Sequence, residues 1–196
     1  MAKQARSLSK FIWLTIWLST PGCRQQTTSI PATYVSVDRT GWQHREGRLW
    51  LNGTHFSGWQ YGLWASGDTA FVGAFSEGKA EGIHRHWYAD GRRKEIRRYR
   101  NGWQEGRQQG WFADGKAAFV YHFRNDVYHG NRKEWLPDGR LVFDGNYHNG
   151  QEDGPQRQWF ADGSLKANYV ARKGRNYGFT GVKNCVNVAD SISVIP

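Results

Sequence analysis

The chain has little of what most folds and most enzymes are built from. It has one methionine, few leucines and 24 glycines, which argues against a helical bundle, since a glycine inside a helix costs about 1 kcal/mol relative to alanine. Two cysteines are too few for a disulfide scaffold or a four-cysteine zinc site. There is no G-x-S-x-G, no H-E-x-x-H and no G-x-x-x-x-G-K followed by Ser or Thr, so common signatures of acyl transfer, zinc proteolysis and phosphate-loop chemistry are missing. Acids are scarce as well: 17 Asp+Glu against 27 Lys+Arg give a net charge of +10. Aromatic residues are plentiful, at 15% with 11 tryptophans, which excludes a disordered chain. A length of 196 residues allows one domain or little more.

The N-terminus reads as an export signal rather than as part of the fold. Lys3, Arg6 and Lys10 form a basic start without an acid, followed by the apolar run F-I-W-L-T-I-W-L at 11–18. A helix of that length rises about 12 Å against a bilayer core of about 30 Å, so it fits the apolar part of a signal peptide, not a membrane span. Ser19-Thr20-Pro21-Gly22-Cys23 closes the segment with small residues. These residues resemble a bacterial lipobox, with Pro21 and the position of Leu18 departing from its usual pattern. The resemblance implies that Cys23 is acylated and becomes the new N-terminus, with 1–22 removed. Arg24 rather than an acid follows it, which by the same resemblance favours the outer membrane in a Gram-negative cell. Loss of Lys3, Arg6 and Lys10 lowers the charge from +10 to +7. With Cys23 lipidated, Cys185 has no intrachain partner and is left as a buried thiol, an intermolecular disulfide or a reactive group.

The strongest pattern is internal. Trp87, Trp111, Trp135 and Trp159 are spaced by 24 residues, and Gly91, Gly115, Gly139 and Gly163 follow them, each preceded by Asp. Tyr99, Phe123 and Tyr147, then Gly102 and Gly150, then Gly106, Gly130, Gly154 and Gly178 keep the same spacing, giving W-x-x-D-G-x7-[YF]-x-x-G-x-x-x-G. Upstream, Trp64, Phe75, Gly78 and Gly82 continue it with one residue deleted, and the stretch from Trp50 to Trp59 reads as a decayed first unit. Such periodicity marks stacked supersecondary units.

Two extended runs joined by Asp-Gly form a β-hairpin. In Leu136-Pro137-Asp138-Gly139-Arg140, Pro137 suits the first central position of a type I turn and Gly139 the left-handed position after it, so the loop has three residues. Trp135 then lies opposite Leu141, and Phe143, Gly145 and Tyr147 are expected on its face. The corresponding sets are Trp111, Ala117, Phe119, Tyr121, Phe123 and Trp159, Leu165, Ala167, Tyr169. The Trp87 unit breaks the rule by placing Arg93, Glu95 and Arg97 inward.

Over residues 48–178 this frame resembles the variant MORN repeat of bacterial exported proteins, a repeat that often bears the name of a toxin–antitoxin antitoxin component. The resemblance implies an all-β fold, an elongated single antiparallel sheet of successive hairpins. It also implies a role as scaffold, membrane-proximal binder or dimerisation module, with no shared catalytic residue and no cofactor. The organisation expected is 1–22 signal peptide, 23–40 lipid anchor and polar tether, 41–178 hairpin repeats, and 179–196 a capping strand, for which 186–194 alternates suitably.

Four features could carry binding. Tyr88, Phe112, Leu136 and Phe160, each one past its Trp, form an apolar row of the kind that marks an interaction surface or structural packing. Arg93, Arg97 and Arg98 belong to the densest basic run, 92–100, which is either a solvated basic face or a surface suited to anionic headgroups or an acidic partner rather than to nucleic acid in an exported protein. His84 and His86 put two imidazoles on one strand face, either a metal pair or solvated histidines. The Asp-Gly turns offer one carboxylate each, too few for calcium. The function expected is a non-enzymatic, membrane-anchored scaffold for a protein or envelope component. The alternatives are an antitoxin-type inhibitor, which the export signal disfavours, and a thiol or metal accessory using Cys185.

Overall fold

The computed structural model describes residues 29–181. The expected signal peptide, Cys23, Cys185 and the 186–194 strand lie outside the described residues. All regular structure described is β. The described residues open with β1 (Tyr34–Ser36), β2 (Trp42–Arg45), β3 (Arg48–Leu51) and β4 (Thr54–His55). There follow β5 (Gly58–Leu63), β6 (Thr69–Ser76), β7 (Lys79–Trp87), β8 (Arg93–Arg100), β9 (Trp103–Gln104), β10 (Gly106–Trp111) and β11 (Ala117–Arg124). The rest are β12 (Val127–Tyr128), β13 (Gly130–Trp135), β14 (Leu141–His148), β15 (Gln151–Trp159), β16 (Leu165–Arg172) and β17 (Arg175–Phe179).

Fourteen of these form one open sheet, not closed into a barrel, in the order β1-β5-β6-β7-β8-β10-β11-β13-β14-β15-β16-β17, with β9 on β8 and β12 on β11. Every pairing is antiparallel except that of β1 with β5. β2, β3 and β4 make a separate three-stranded sheet. β1 falls within 23–40, so the ordered sheet takes up the end of that stretch.

Two kinds of turn alternate, and each is dictated by its residues. At the Asp-Gly turns, Leu136 N donates to Arg140 O and Gly139 N to Leu136 O, and the same two bonds recur at Tyr88, Phe112 and Phe160. Gly139 has φ of 92°, a left-handed conformation in which a side chain is strained. The turn aspartates cap the exit: the amides of Arg92, Lys116, Arg140 and Ser164 donate to the Asp90, Asp114, Asp138 and Asp162 carboxylates. This is the three-residue loop expected from Pro137 and Gly139. The other ends are two-residue turns, Glu77-Gly78, Asn101-Gly102, Asn125-Asp126, Asn149-Gly150 and Lys173-Gly174, with positive φ at both positions. That is the mirror-image turn whose twist matches the flanking strands.

One expectation about faces is overturned. Trp135 does pair with Leu141, but Glu134 pairs with Phe143, so Val142 is an extra residue. Lys94, Ala118 and Lys166 are extra in the same way beside Trp87, Trp111 and Trp159. Each bulge absorbs one step of the pleat. Cross-strand partners share a face, so Phe143 and Tyr147 lie with Glu134 and the tryptophan lies on the opposite side. The bulge at Ala70, where Leu63 pairs with Thr69 and Gly62 with Phe71, also corrects the upstream register. Leu63 holds the Trp place and Trp64 that of Tyr88, with no residue deleted.

The two faces differ in chemistry. One, the aromatic face, carries Phe71, Tyr99, Phe119, Tyr121, Phe143 and Tyr147, with His84, Gln108, Arg132 and Gln156 along its middle. Its rings lie over glycines: a Cβ on Gly110 would overlap the Phe119 ring, and one on Gly73 would sit 2.6 Å from Phe71 Cζ. The middle row keeps the 24-residue spacing and is buried at His84, Gln108 and Gln156. Where the pairing of β8 passes from β9 to β10, the Gln108 amide takes the place of a strand peptide. Its Oε1 accepts from Arg98 N at 2.6 Å and its Nε2 donates to Arg98 O at 3.0 Å. Gln156 Nε2 reaches Asn146 O at 2.6 Å and His84 Nε2 reaches Ala74 O at 2.8 Å, each at the matching carbonyl. Among the described residues the clusters of fully buried apolar side chains lie toward the ends: Val35, Leu49, Phe56 and Phe75 at one, Ala167, Tyr169 and Ala171 at the other. Between them the sheet is a single layer.

Candidate functional site: a turn row and a basic face

The apolar row is built by the three-residue loops, not by the strands. Tyr88, Phe112, Leu136 and Phe160 each occupy the loop's closing position, so equal spacing in sequence becomes adjacency along one edge of the sheet. The first three turns are tied to one another. Tyr88 Oη donates to Trp111 O at 2.8 Å, Arg92 Nη1 to Ala113 O at 2.6 Å, and Lys116 Nζ to Pro137 O at 3.1 Å. Phe160 is 52% exposed and Trp64 38%, while Tyr88, Phe112 and Leu136 are half-buried. Lys94 lies over the Tyr88 ring and Lys166 over the Phe160 ring, at 5.7 and 5.8 Å. The frame residues Trp87, Trp111, Trp135 and Trp159 sit one step inside this edge, and Gly91, Gly115, Gly139 and Gly163 form its outer turns.

The predicted basic trio is divided. Arg97 is on the aromatic face, paired with Glu95 at 2.6 Å. Burial works against its charge, but the hydrogen bond and charge of Glu95 outweigh it and raise its pKa above the usual guanidinium value. Glu95 and Arg97 at inward positions are therefore a mutual ion pair, while Arg93 sits opposite Trp87 on the other face. Arg98 is there too, its guanidinium donating to Arg107 O. With Arg85, Lys94 and Arg107 they form a basic face over β7, β8 and β10. None of these five has a carboxylate within ion-pair distance among the described residues. Trp111, beside Arg92 and Arg93, lines a shallow groove there.

The aromatic face holds a second ion pair that sequence inspection missed. Arg132 donates to Glu134 at 2.5 Å and lies 5.5, 5.0 and 4.6 Å from the Tyr121, Tyr128 and Phe143 rings. Tyr121 Oη donates to the same carboxylate at 3.0 Å, and burial together with that negative charge pushes the phenol's pKa up. Burial and Glu152 push Tyr169 up to about 12. The signal for Arg132 was the spacing His84, Gln108, Arg132, Gln156, hidden because the four positions hold three different residue types.

His84 and His86 do share a face, but His84 is not solvated: it is 5% exposed. Burial lowers its pKa to about 4 despite the Ala74 carbonyl bond, and burial lowers that of His86 as well. A neutral ring whose Nε2 donates to Ala74 is committed to the backbone. Among the described residues no group of three or more His, Cys, Asp or Glu side chains converges as a metal site. No protein-family profile matches the chain, and no curated protein matches it.

Proposed function

We propose that this chain is a non-enzymatic, membrane-anchored repeat scaffold of the variant MORN type, holding a protein or an envelope component at the cell envelope. The observation that carries the proposal is the row Tyr88, Phe112, Leu136 and Phe160, brought along one edge on equivalent turns, the first three of them bonded to one another. It lies beside a basic face of Arg85, Arg93, Lys94, Arg98 and Arg107. A single-layer sheet has two faces and turn edges to offer a partner. Rings set along one edge give apolar contact, and neighbouring cations favour an acidic partner surface or anionic headgroups. In this proposal Cys23 is the lipid attachment, and no nucleic acid is bound.

The test is co-purification from membranes. Phe112→Ala and Phe160→Ala together are expected to remove the bound partner while leaving the melting temperature within a few degrees. An unchanged set of partners contradicts the proposal. Mass spectrometry of the mature N-terminus checks the anchor: an acylated Cys23 is expected, and an unmodified chain beginning at Met1 contradicts it.

A further inference from the structure

On the edge opposite the Asp-Gly turns, the two-residue turns form a groove with a cavity volume of about 360 Å³. That lies in the range of small-ligand sites. Its useful side chains are Glu46, Arg48, Lys79, Asn101, Trp103 and Asp126. The groove is formed by other residues than the turn row, and ligand binding there depends neither on the proposed scaffold role nor on the anchor.

Trp103 and Asp126 both exceed what the frame requires. Trp103 is not a frame tryptophan: the matching places hold Lys79, Val127, Gln151 and Arg175, and its indole is 53% exposed. Asp126 stands where the other turns of the sheet have Gly78, Gly102, Gly150 and Gly174. It holds φ of 63°, a conformation glycine adopts more easily. One of its carboxylate oxygens accepts from Gln104 N at 2.5 Å, and the group still lines the cavity.

The charges in the groove balance. Glu46 and Asp126 are acceptors, Arg48 and Lys79 are donors, and the Asn101 amide is both. No ion pair within 4 Å joins any of these four charged groups among the described residues. Arg48 Nη1 donates to Glu77 O at 3.1 Å and one Asp126 oxygen is taken by Gln104 N, and their remaining donors and acceptors are the ones a ligand in the cavity can use. A ligand suited to this set has an apolar ring face for the indole and hydroxyls that both donate and accept. It carries no net charge, because neither sign gains from a balanced wall. We propose that this groove binds a neutral sugar ring, stacked on Trp103 and hydrogen-bonded to Glu46, Asp126, Arg48, Lys79 and Asn101. The open groove admits one unit of a longer neutral glycan.

Calorimetry and ¹⁵N-indole NMR on the full chain, with maltotriose and chitotriose as neutral probes and trigalacturonate as the anionic one, test this. At least one neutral trisaccharide is expected to bind and to shift the Trp103 indole signal. Trp103→Ala and Asp126→Gly are each expected to weaken it by about tenfold or more. Asp126→Gly restores the residue of the other turns, so its melting temperature is expected to stay level or rise. Three results overturn the proposal: no binding of either neutral probe at about 20 mM, affinity unchanged in both variants, or tighter binding of trigalacturonate than of the neutral probes.

Discussion

Replacing His84 by glutamine isolates the buried polar row in one measurement. The row places Gln108 and Gln156 at equivalent points, each donating its amide to a strand carbonyl, while His84 donates its ring Nε2 to Ala74 O at 2.8 Å. Glutamine therefore keeps the bond and removes the titration. Burial lowers the His84 pKa from 6.5 to about 4, so as pH falls the unfolded chain takes up the proton first. Stability tied to neutral His84 is complete above about pH 6.5, declines between about 6.5 and 4, and stops changing below that. A shift of that size corresponds to about 3 kcal/mol between the two plateaus. His86, also lowered by burial, remains in both proteins, so the difference between them reports mainly on His84. Urea unfolding at pH 8 is expected to find wild type and His84→Gln within about 1 kcal/mol. At pH 4 the variant is expected to be more stable by about 2–3 kcal/mol relative to that baseline. Parallel loss of stability in both proteins from pH 8 to 4 refutes the assignment of His84 as a buried neutral donor.

Three further substitutions probe the sheet. Gln108→Leu keeps the volume but leaves the Arg98 N–H without its side-chain acceptor, and a loss of about 1–3 kcal/mol is expected in urea melts. An unchanged midpoint would show that the side-chain bond contributes nothing. Gly110→Ala drives a Cβ into the Phe119 ring and is expected to cost about 1–3 kcal/mol. Gly115→Ala has open space around its Cβ, so only the left-handed backbone at φ 88° resists, with a cost of about 1–2 kcal/mol. Phe119→Ala should relieve the cost of Gly110→Ala but leave that of Gly115→Ala untouched, which two double-mutant cycles read directly.

Much of the architecture was legible because turn chemistry is local. Pro137-Asp138-Gly139 specified a three-residue loop, and the φ of Gly139 and the Asp138 cap deliver it. Asn101-Gly102 and Asn149-Gly150 carried an equally strong signal for the second turn, obscured because the same glycines also mark the repeat frame. The faces were misassigned for a different reason. Residue spacing counts positions, while a bulge consumes one without advancing the pleat, so Val142 and its equivalents moved the aromatic set away from the tryptophans. The same shift makes sense of Glu95 and Arg97, which read as misplaced charges but meet each other on the aromatic face. Of the candidate site, the turn row was visible as spacing. The basic face was not, because Arg85 and Arg107 join Arg93 and Arg98 only through strand pairing.

The claim on which the functional proposal rests is that the row of turn residues meets a partner. A photo-crosslinking amino acid placed at Phe112 and at Phe160, in cells, tests it most directly, with the same probe at the exposed Thr54 as reference. Discrete adducts from Phe112 and Phe160 but not from Thr54 are expected. Absence of adducts from the row, or equal yields at all three positions, contradicts it.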